Sequence, residues 1–365
     1  MLGWRARIHG VLQYTLKYLF YKLCSEQTHT LLCVRVKRKD DETQLQSGKN
    51  KCIIGTSDSR ATLLTVHFRF PSREEVCVEF RMSFENAEAY LEGNQYSKVV
   101  TKTLINEFYD WFGWKKDGKD SILDIGSGPG NAFYETLYSR LPENFSRIVL
   151  SDISKPMVEL QKKVFQGIDR VSSEILDIGS PIDENLSKKL GTFDHVTSFF
   201  CLMFVKDQQL AMDNIYKLLK PGGDCFHVIA INSPIFDTAI AVYEKPRWKD
   251  YCTGWQDFFV LPYRKLNEAQ VKEKAFNFMK QAGFSNLKAE IRYDSFVFSS
   301  DEAKEKNLRV MPTNFSRKVT PEEEEEFFQD RLQYFDQFAL GNYRDNTGKI
   351  DQPNSLLILY GKKPE

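Results

Sequence analysis

The chain lacks net charge, a paired cysteine motif, clustered histidines and any unbroken apolar run long enough to span a bilayer. Each absence excludes something. The seven cysteines, Cys24, Cys33, Cys52, Cys77, Cys201, Cys225 and Cys252, are odd in number and irregular in spacing, with no Cys-x-x-Cys. Such a set reads as ordinary buried thiols in a reducing compartment, the cytoplasm, rather than as a disulfide framework. His9, His29, His67, His195 and His227 stand at no ligand spacing with them, so no metal site is expected. The balance of 50 basic and 50 acidic residues hides an asymmetry: residues 1–81 hold 14 basic against 8 acidic, leaving 36 against 42. A mildly acidic main body lacks the basic surface that nucleic acid requires. The N-terminal "MLGWRARIHGVLQYTLKYLFYKLC" is broken by Lys17 and Lys22 and falls short of the ~20 apolar residues of a spanning helix. It also lacks the clean apolar core and small-residue cleavage site of a signal peptide. No stable membrane insertion is expected.

What is present begins at Met82. From "MSFENAEAYLEGNQYSKV" onward, helical and strand patterns alternate, the mark of a mostly parallel sheet with helices on both faces. Residues 1–81 are therefore expected to be a basic, poorly structured extension, consistent with an over-long gene model, and 82–365 to form the working domain. Within that domain the core sheet is expected over about 119–232. The aromatic, irregular stretch of about 233–282 forms a lid, and 283–365 supplies the last strands and a charged insertion. In the acidic run "PEEEEEFF", the carboxylates suit a solvated helix start, where the helix dipole favours them.

"SILDIGSGPGN", residues 121–131, carries the chemistry. An apolar strand runs into Gly126-x-Gly128-x-Gly130 and then a helix. Glycines there permit a tight turn and close backbone approach, and the exposed helix amides face a ligand. Asp152 closes the next predicted strand about twenty residues on, where a carboxylate accepts from both ribose hydroxyls. Asp177 closes the third, in reach of an adenine amino group. A dinucleotide fingerprint is Gly-x-Gly-x-x-Gly, but here the spacing is Gly-x-Gly-x-Gly with Asp124 before it and Asn131 after it. That arrangement resembles the first motif of class I S-adenosylmethionine (SAM)-dependent methyltransferases.

The stretch "FDHVTSFFCLMFVKDQQLAMDNIYKLLKPGGDCFHVIAINSPIFD", with "RWKDY" and "LPYRKL" after it, resembles the juvenile hormone acid (farnesoic acid) O-methyltransferases. The resemblance covers roughly residues 82–365. It implies a Rossmann-like fold with a seven-stranded, mostly parallel sheet and an aromatic lid insertion. It also implies SAM over Gly126, Gly128 and Gly130, with Asp152 on the ribose and Asp177 near the adenine, and Asp124 and Phe199 complete the cofactor set. Family members esterify the carboxylate of a sesquiterpenoid acid, which implies a small apolar substrate; a monomer or homodimer is expected. Met203, Phe204, Trp248 and Trp255 are the expected pocket residues, with Gln95 and Ser97 at the carboxylate.

Two departures stand out. Where the family carries His-Trp, whose indole hydrogen holds the carboxylate, this chain has Met203-Phe204; where it has a glutamine after an asparagine, Gln95 comes two positions early. The acceptor is thus a farnesoic-type carboxylate, or else another oxygen or nitrogen, or the chain binds SAM without turnover. No general base is expected, because a carboxylate nucleophile needs none. His195 and His227 are expected to be structural, while Arg247 and Arg264 either anchor an anion or form surface ion pairs.

Overall fold

The computed structural model describes residues 66–69, 75–78, 87–311, 313, 315–343 and 351–365. The expectations placed on residues 1–65 lie outside the described residues. Chain contacts divide the molecule into two units, Met1–Arg81 and Met82–Glu365. In the first, strands β1 (Val66–Arg69) and β2 (Glu75–Val78) pair antiparallel, Val66 opposite Val78.

The second unit opens with two consecutive helices, α1 (Ala87–Gly93) and α2 (Gln95–Phe108). The buried stripe of α2, Val100, Leu104, Ile105 and Phe108, follows the helical period. Alternation then produces β3 (Ser121–Ile125), α3 (Asn131–Glu135), β4 (Arg147–Asp152), α4 (Lys155–Val164), β5 (Val171–Ile175), α5 (Glu184–Leu190), β6 (Phe193–Phe199), α6 (Gln208–Leu218) and β7 (Leu219–Asn232). The remaining elements are α7 (Pro234–Glu244), α8 (Glu268–Ala282), β8 (Ser285–Val297), α9 (Asp301–Arg309), α10 (Pro321–Tyr343) and β9 (Asp351–Lys362).

The seven strands run in the order β5-β4-β3-β6-β7-β9-β8. The first five are parallel, and β9 enters antiparallel between β7 and β8. Helices on both faces bury the central strands entirely: every residue of β3 is buried, as are the first six of β6. Burial on both faces is usual for parallel strands covered by helices, and the polar members of β6, Asp194, His195, Thr197 and Ser198, each find a hydrogen-bond partner inside. β7 begins directly at Leu219 after α6, and Lys220-Pro221-Gly222-Gly223 forms its first part. Helix ends follow their chemistry. Ser154 caps α4 ahead of Pro156, Asn267 and Gln270 form a capping box on α8, and Gly283 closes α8 at φ +104°.

The aromatic segment that follows α7 is fastened to α10. Trp248 donates its indole hydrogen to Asp330 (2.5 Å), which also accepts from Lys245 (2.6 Å), and the Tyr251 hydroxyl donates to Glu323 (2.6 Å). The acidic run is therefore only partly solvated, because Glu323, Glu326 and Asp330 hold residues 245–251. Among the described residues no helix is long and apolar enough to cross a membrane.

At the amino ends of the parallel strands the buried His195 ring is clamped between two carboxylates, Nδ1 to Asp224 (2.7 Å) and Nε2 to Asp120 (3.0 Å). The two acids outweigh burial and push its pKa up to about 9. His227, in the middle of β7, has neither ring nitrogen paired, and burial alone pushes it down to about 3.

Candidate active site

β3 ends at Ile125, and the chain turns through Gly126, Gly128 and Gly130 at φ +67°, +57° and +84°, a region open to glycine without strain. Space is as restrictive as torsion. A Cβ on Gly126 would stand 2.3 Å from Cys201 Sγ, and one on Gly130 would press on Phe165, Gln161 and Leu150 at 3.2–3.3 Å. The loop is pinned from several sides: Asp152 accepts from the amides of Gly128 and Ser154 (2.9 Å each), and Gln161 donates to the Gly128 carbonyl (2.8 Å). Burial raises the Asp152 carboxyl, against the pull of these amides and that of Ile153.

Asp124 lies one layer deeper. Burial pushes it up to about 7, while the hydroxyls of Thr197 (2.6 Å) and Ser127 hold it down. Its own carbonyl accepts from the Ser127 and Ser151 hydroxyls, 3.0 Å each. Asp177 is exposed, and its carboxylate closes its own turn by accepting from the Gly179 amide (3.0 Å) and the Ser180 hydroxyl (2.7 Å).

Two contributions come from the helices ahead of the sheet. Asn94 and Asn131 exchange side-chain hydrogen bonds at 2.9 and 3.2 Å, both buried, and so tie the α1–α2 junction to the first residue of α3. The Tyr90 ring lies over Gly128, where an added Cβ would meet its Cε1 at 3.3 Å. Burial, with Asp152 and Cys201 beside it, pushes the Tyr90 hydroxyl up to about 12, opposed by a hydrogen bond with Ser97. Ser97 itself donates to the Asn94 carbonyl at 2.9 Å, and Gln95 is exposed.

At the carboxyl end of β6, Phe199 packs 6.2 Å from Phe226, and Phe200 adopts φ +56°, a conformation costly for an aromatic residue. Its amide donates to the Val228 carbonyl (2.9 Å) and its ring meets Tyr96 at 5.6 Å. In the turn that follows, Met203 is buried, its carbonyl accepting from the Leu261 amide (3.0 Å), and the half-buried Phe204 ring faces Phe259 at 5.8 Å.

The sequence profile of the methyltransferase domain matches residues 123–225. A juvenile hormone acid O-methyltransferase of Drosophila melanogaster is 30% identical over 280 residues, 76% of this chain and 92% of that protein. Its counterpart in Bombyx mori is 30% identical over 283 residues, 76% and 97%. The chain belongs to this family. It is a class I SAM-dependent methyltransferase. Among solved structures, Haemonchus contortus phosphoethanolamine N-methyltransferase 2 with SAM aligns at 18% identity, covering 80% of this chain and 63% of that one with a TM-score of 0.38, too low to carry any assignment.

The residues of this methyltransferase fit the cofactor: a loop with no side chain to fill its cradle, a buried carboxylate at the end of β4, and a phenol over the loop. Of the residues expected from sequence, the glycines, Asp124 and Asp152 converge, and Asp177 lies near enough for its charge to be felt at Cys201 together with those of Asp152 and Asp124. Beyond the turn after β6, Phe204 and Phe259 meet, and Trp255 stacks on Tyr243 at 5.6 Å. Trp248 is fully buried behind them, its indole hydrogen already given to Asp330. Arg247 pairs with Glu326 and Arg264 with Asp237, so both form ion pairs.

Tyr90, Asn94, Phe200 and Cys201 were missed by sequence reasoning. Only Cys201, after the strand whose end meets the loop, carried any signal, and its role as the wall against Gly126 is a matter of distance. Bound SAM supplies a methyl group on a sulfonium sulfur. The chain's own work is to align an acceptor with that methyl and keep water out.

Proposed function

We propose that this methyltransferase esterifies the carboxylate of a small apolar acid of the farnesoic or juvenile-hormone-acid type, in the cytoplasm and without a nucleic-acid partner. The likeness to two relatives named for juvenile hormone acid, spanning 92% and 97% of their lengths, carries this reading. Two further observations support it. The turn after β6 and the segment beyond it bring Phe204, Phe236 and Phe259 together, an apolar cluster compatible with a terpenoid chain. A carboxylate also attacks the methyl without help from a base, which agrees with His195 being locked between two acids and His227 being held neutral. Cys201, Cys225 and Cys252 are free thiols, as a reducing compartment requires.

A second reading, an alcohol or amine acceptor, is favoured by Phe204, whose ring donates no hydrogen bond to an anion. Under the first reading other donors hold the carboxylate. Three buried hydroxyls without a partner stand on segments bordering that end of the sheet: Tyr96, Thr238 and Tyr263. Purified protein incubated with methyl-labelled SAM and a panel of farnesoic acid, fatty acids and matched alcohols and amines separates the readings. Label in acid-derived methyl esters is the expected result, and label confined to alcohols or amines would sink the carboxylate assignment.

A further inference from the structure

The outer edge of the sheet is β8, which pairs with β9 and with no other described strand. An open edge offers unpaired N–H and C=O groups to any second strand, and monomers defend it with proline, short length, bulges or repelling charge. β8 has little such defence. It runs for 13 residues without proline, and its only irregularity lies at its start, between Ser285 and Lys288. Tyr293 and Val297 are 74% and 44% exposed.

Its charges are the more telling feature. Lys288, Glu290, Arg292 and Asp294 alternate in sign along one face of the strand, opposite Tyr360, Ile358, Leu356 and Asn354 of β9. Such a row is its own complement. Laid antiparallel beside a second copy and centred on Ile291, it sets Lys288 opposite Asp294 and Glu290 opposite Arg292 in both directions. A slip of one pleat either way sets Glu290 against Glu290 or Arg292 against Arg292, and like charges directly opposite are unfavourable.

We propose that a second copy of this chain docks along β8, the two edges pairing antiparallel about a twofold axis at Ile291, so that two seven-stranded sheets run on as one. Contacts within each chain already hold the charged row in place. Arg292 bonds Glu107 and Glu290, and Lys288 Nζ sits 5.0 Å from the ring centres of both Trp111 and Tyr360. Glu290 and Arg292 keep 42% and 38% of their side chains exposed, enough to meet a partner. The strands β6, β7 and β9 separate this edge from β3, so both glycine loops stay open in the dimer.

Sedimentation of the full chain over a concentration series tests this, with a micromolar or tighter dimer expected. Glu290→Lys and Arg292→Glu each put like charges across the twofold axis and are expected to weaken association about tenfold or more. An equimolar mixture of the two variants should recover wild-type association, because the cations of one then face the anions of the other. A monomeric wild type, variants that associate as wild type does, or a mixture no tighter than its components would overturn the proposal. Should either variant lose its fold, Ile291→Cys gives an independent reading: a short bismaleimide should join two copies at that site, and failure to cross-link above the wild-type background overturns it as well.

Discussion

At the scale of single residues, the cofactor end is governed by groups that tolerate little change. Asp152 faces the glycine loop with both oxygens bonded to amides, and we propose that its charge also receives the ribose hydroxyls of SAM. Asp152→Asn should leave the fold intact and weaken SAM binding about 10- to 100-fold, the cost of losing a charged acceptor; calorimetric titration gives the affinity and a thermal melt checks the fold. Phe204 offers the opposite experiment. Restoring an indole with Phe204→Trp supplies an N–H at the turn after β6, and a hydrogen bond to a carboxylate is worth about 1.5–3 kcal/mol. The expected result is a rise in kcat/KM of about tenfold or more on acids and none on alcohols, read by methyl-transfer kinetics on both. These residues differ in legibility. The glycines and Asp152 follow from the order strand, loop, helix, strand, whereas Tyr90 and Phe200 come to the loop and the turn through helix packing and an unusual φ, neither of which has a local sequence mark.

At the scale of elements, the two histidines of the described sheet set opposite pH limits. The clamp that raises His195 to about 9 contributes stability that is complete below the ordinary value of about 6.5 and is lost as pH rises through about 9. His227, lowered to about 3, works the other way. Below about 6.5 its unfolded form takes up a proton that the folded form refuses, so stability falls toward acid. Each limb slopes by up to about 1.4 kcal/mol per pH unit. Denaturant unfolding across pH should show His195→Gln flattening the alkaline limb alone and His227→Leu the acid limb alone. Unchanged limbs would contradict the assigned protonation states.

The aromatic segment after α7 depends on α10 in the same direct manner. Trp248→Phe keeps most of the packing against Phe327 (5.2 Å) but leaves Asp330 without the indole hydrogen. A loss of about 1–3 kcal/mol is expected, together with faster proteolysis within residues 245–267. That this tryptophan fastens the segment to α10 was not legible in the sequence. An aromatic run reads the same whether it lines a cavity or packs against a distant helix, and its partner is 82 positions away.

At the scale of the whole molecule, the contact boundary at Arg81–Met82 motivates a proposal about sufficiency: a chain beginning at Met82 should bind SAM with unchanged affinity. A loss in calorimetric titration would assign residues 1–81 a part in the site. The same scale separates what is local from what is not. Strand and helix order, the glycine loop and the family likeness were determined by the sequence itself, because period, turn chemistry and glycine spacing act over a few residues. The entry of β9 between β7 and β8, the wall that Cys201 sets against Gly126, the burial of Trp248 on Asp330 and the open, self-complementary edge of β8 were decided only by tertiary structure. Each rests on groups far apart in the chain, and their meeting depends on how the whole sheet closes its core rather than on any preference a segment expresses alone.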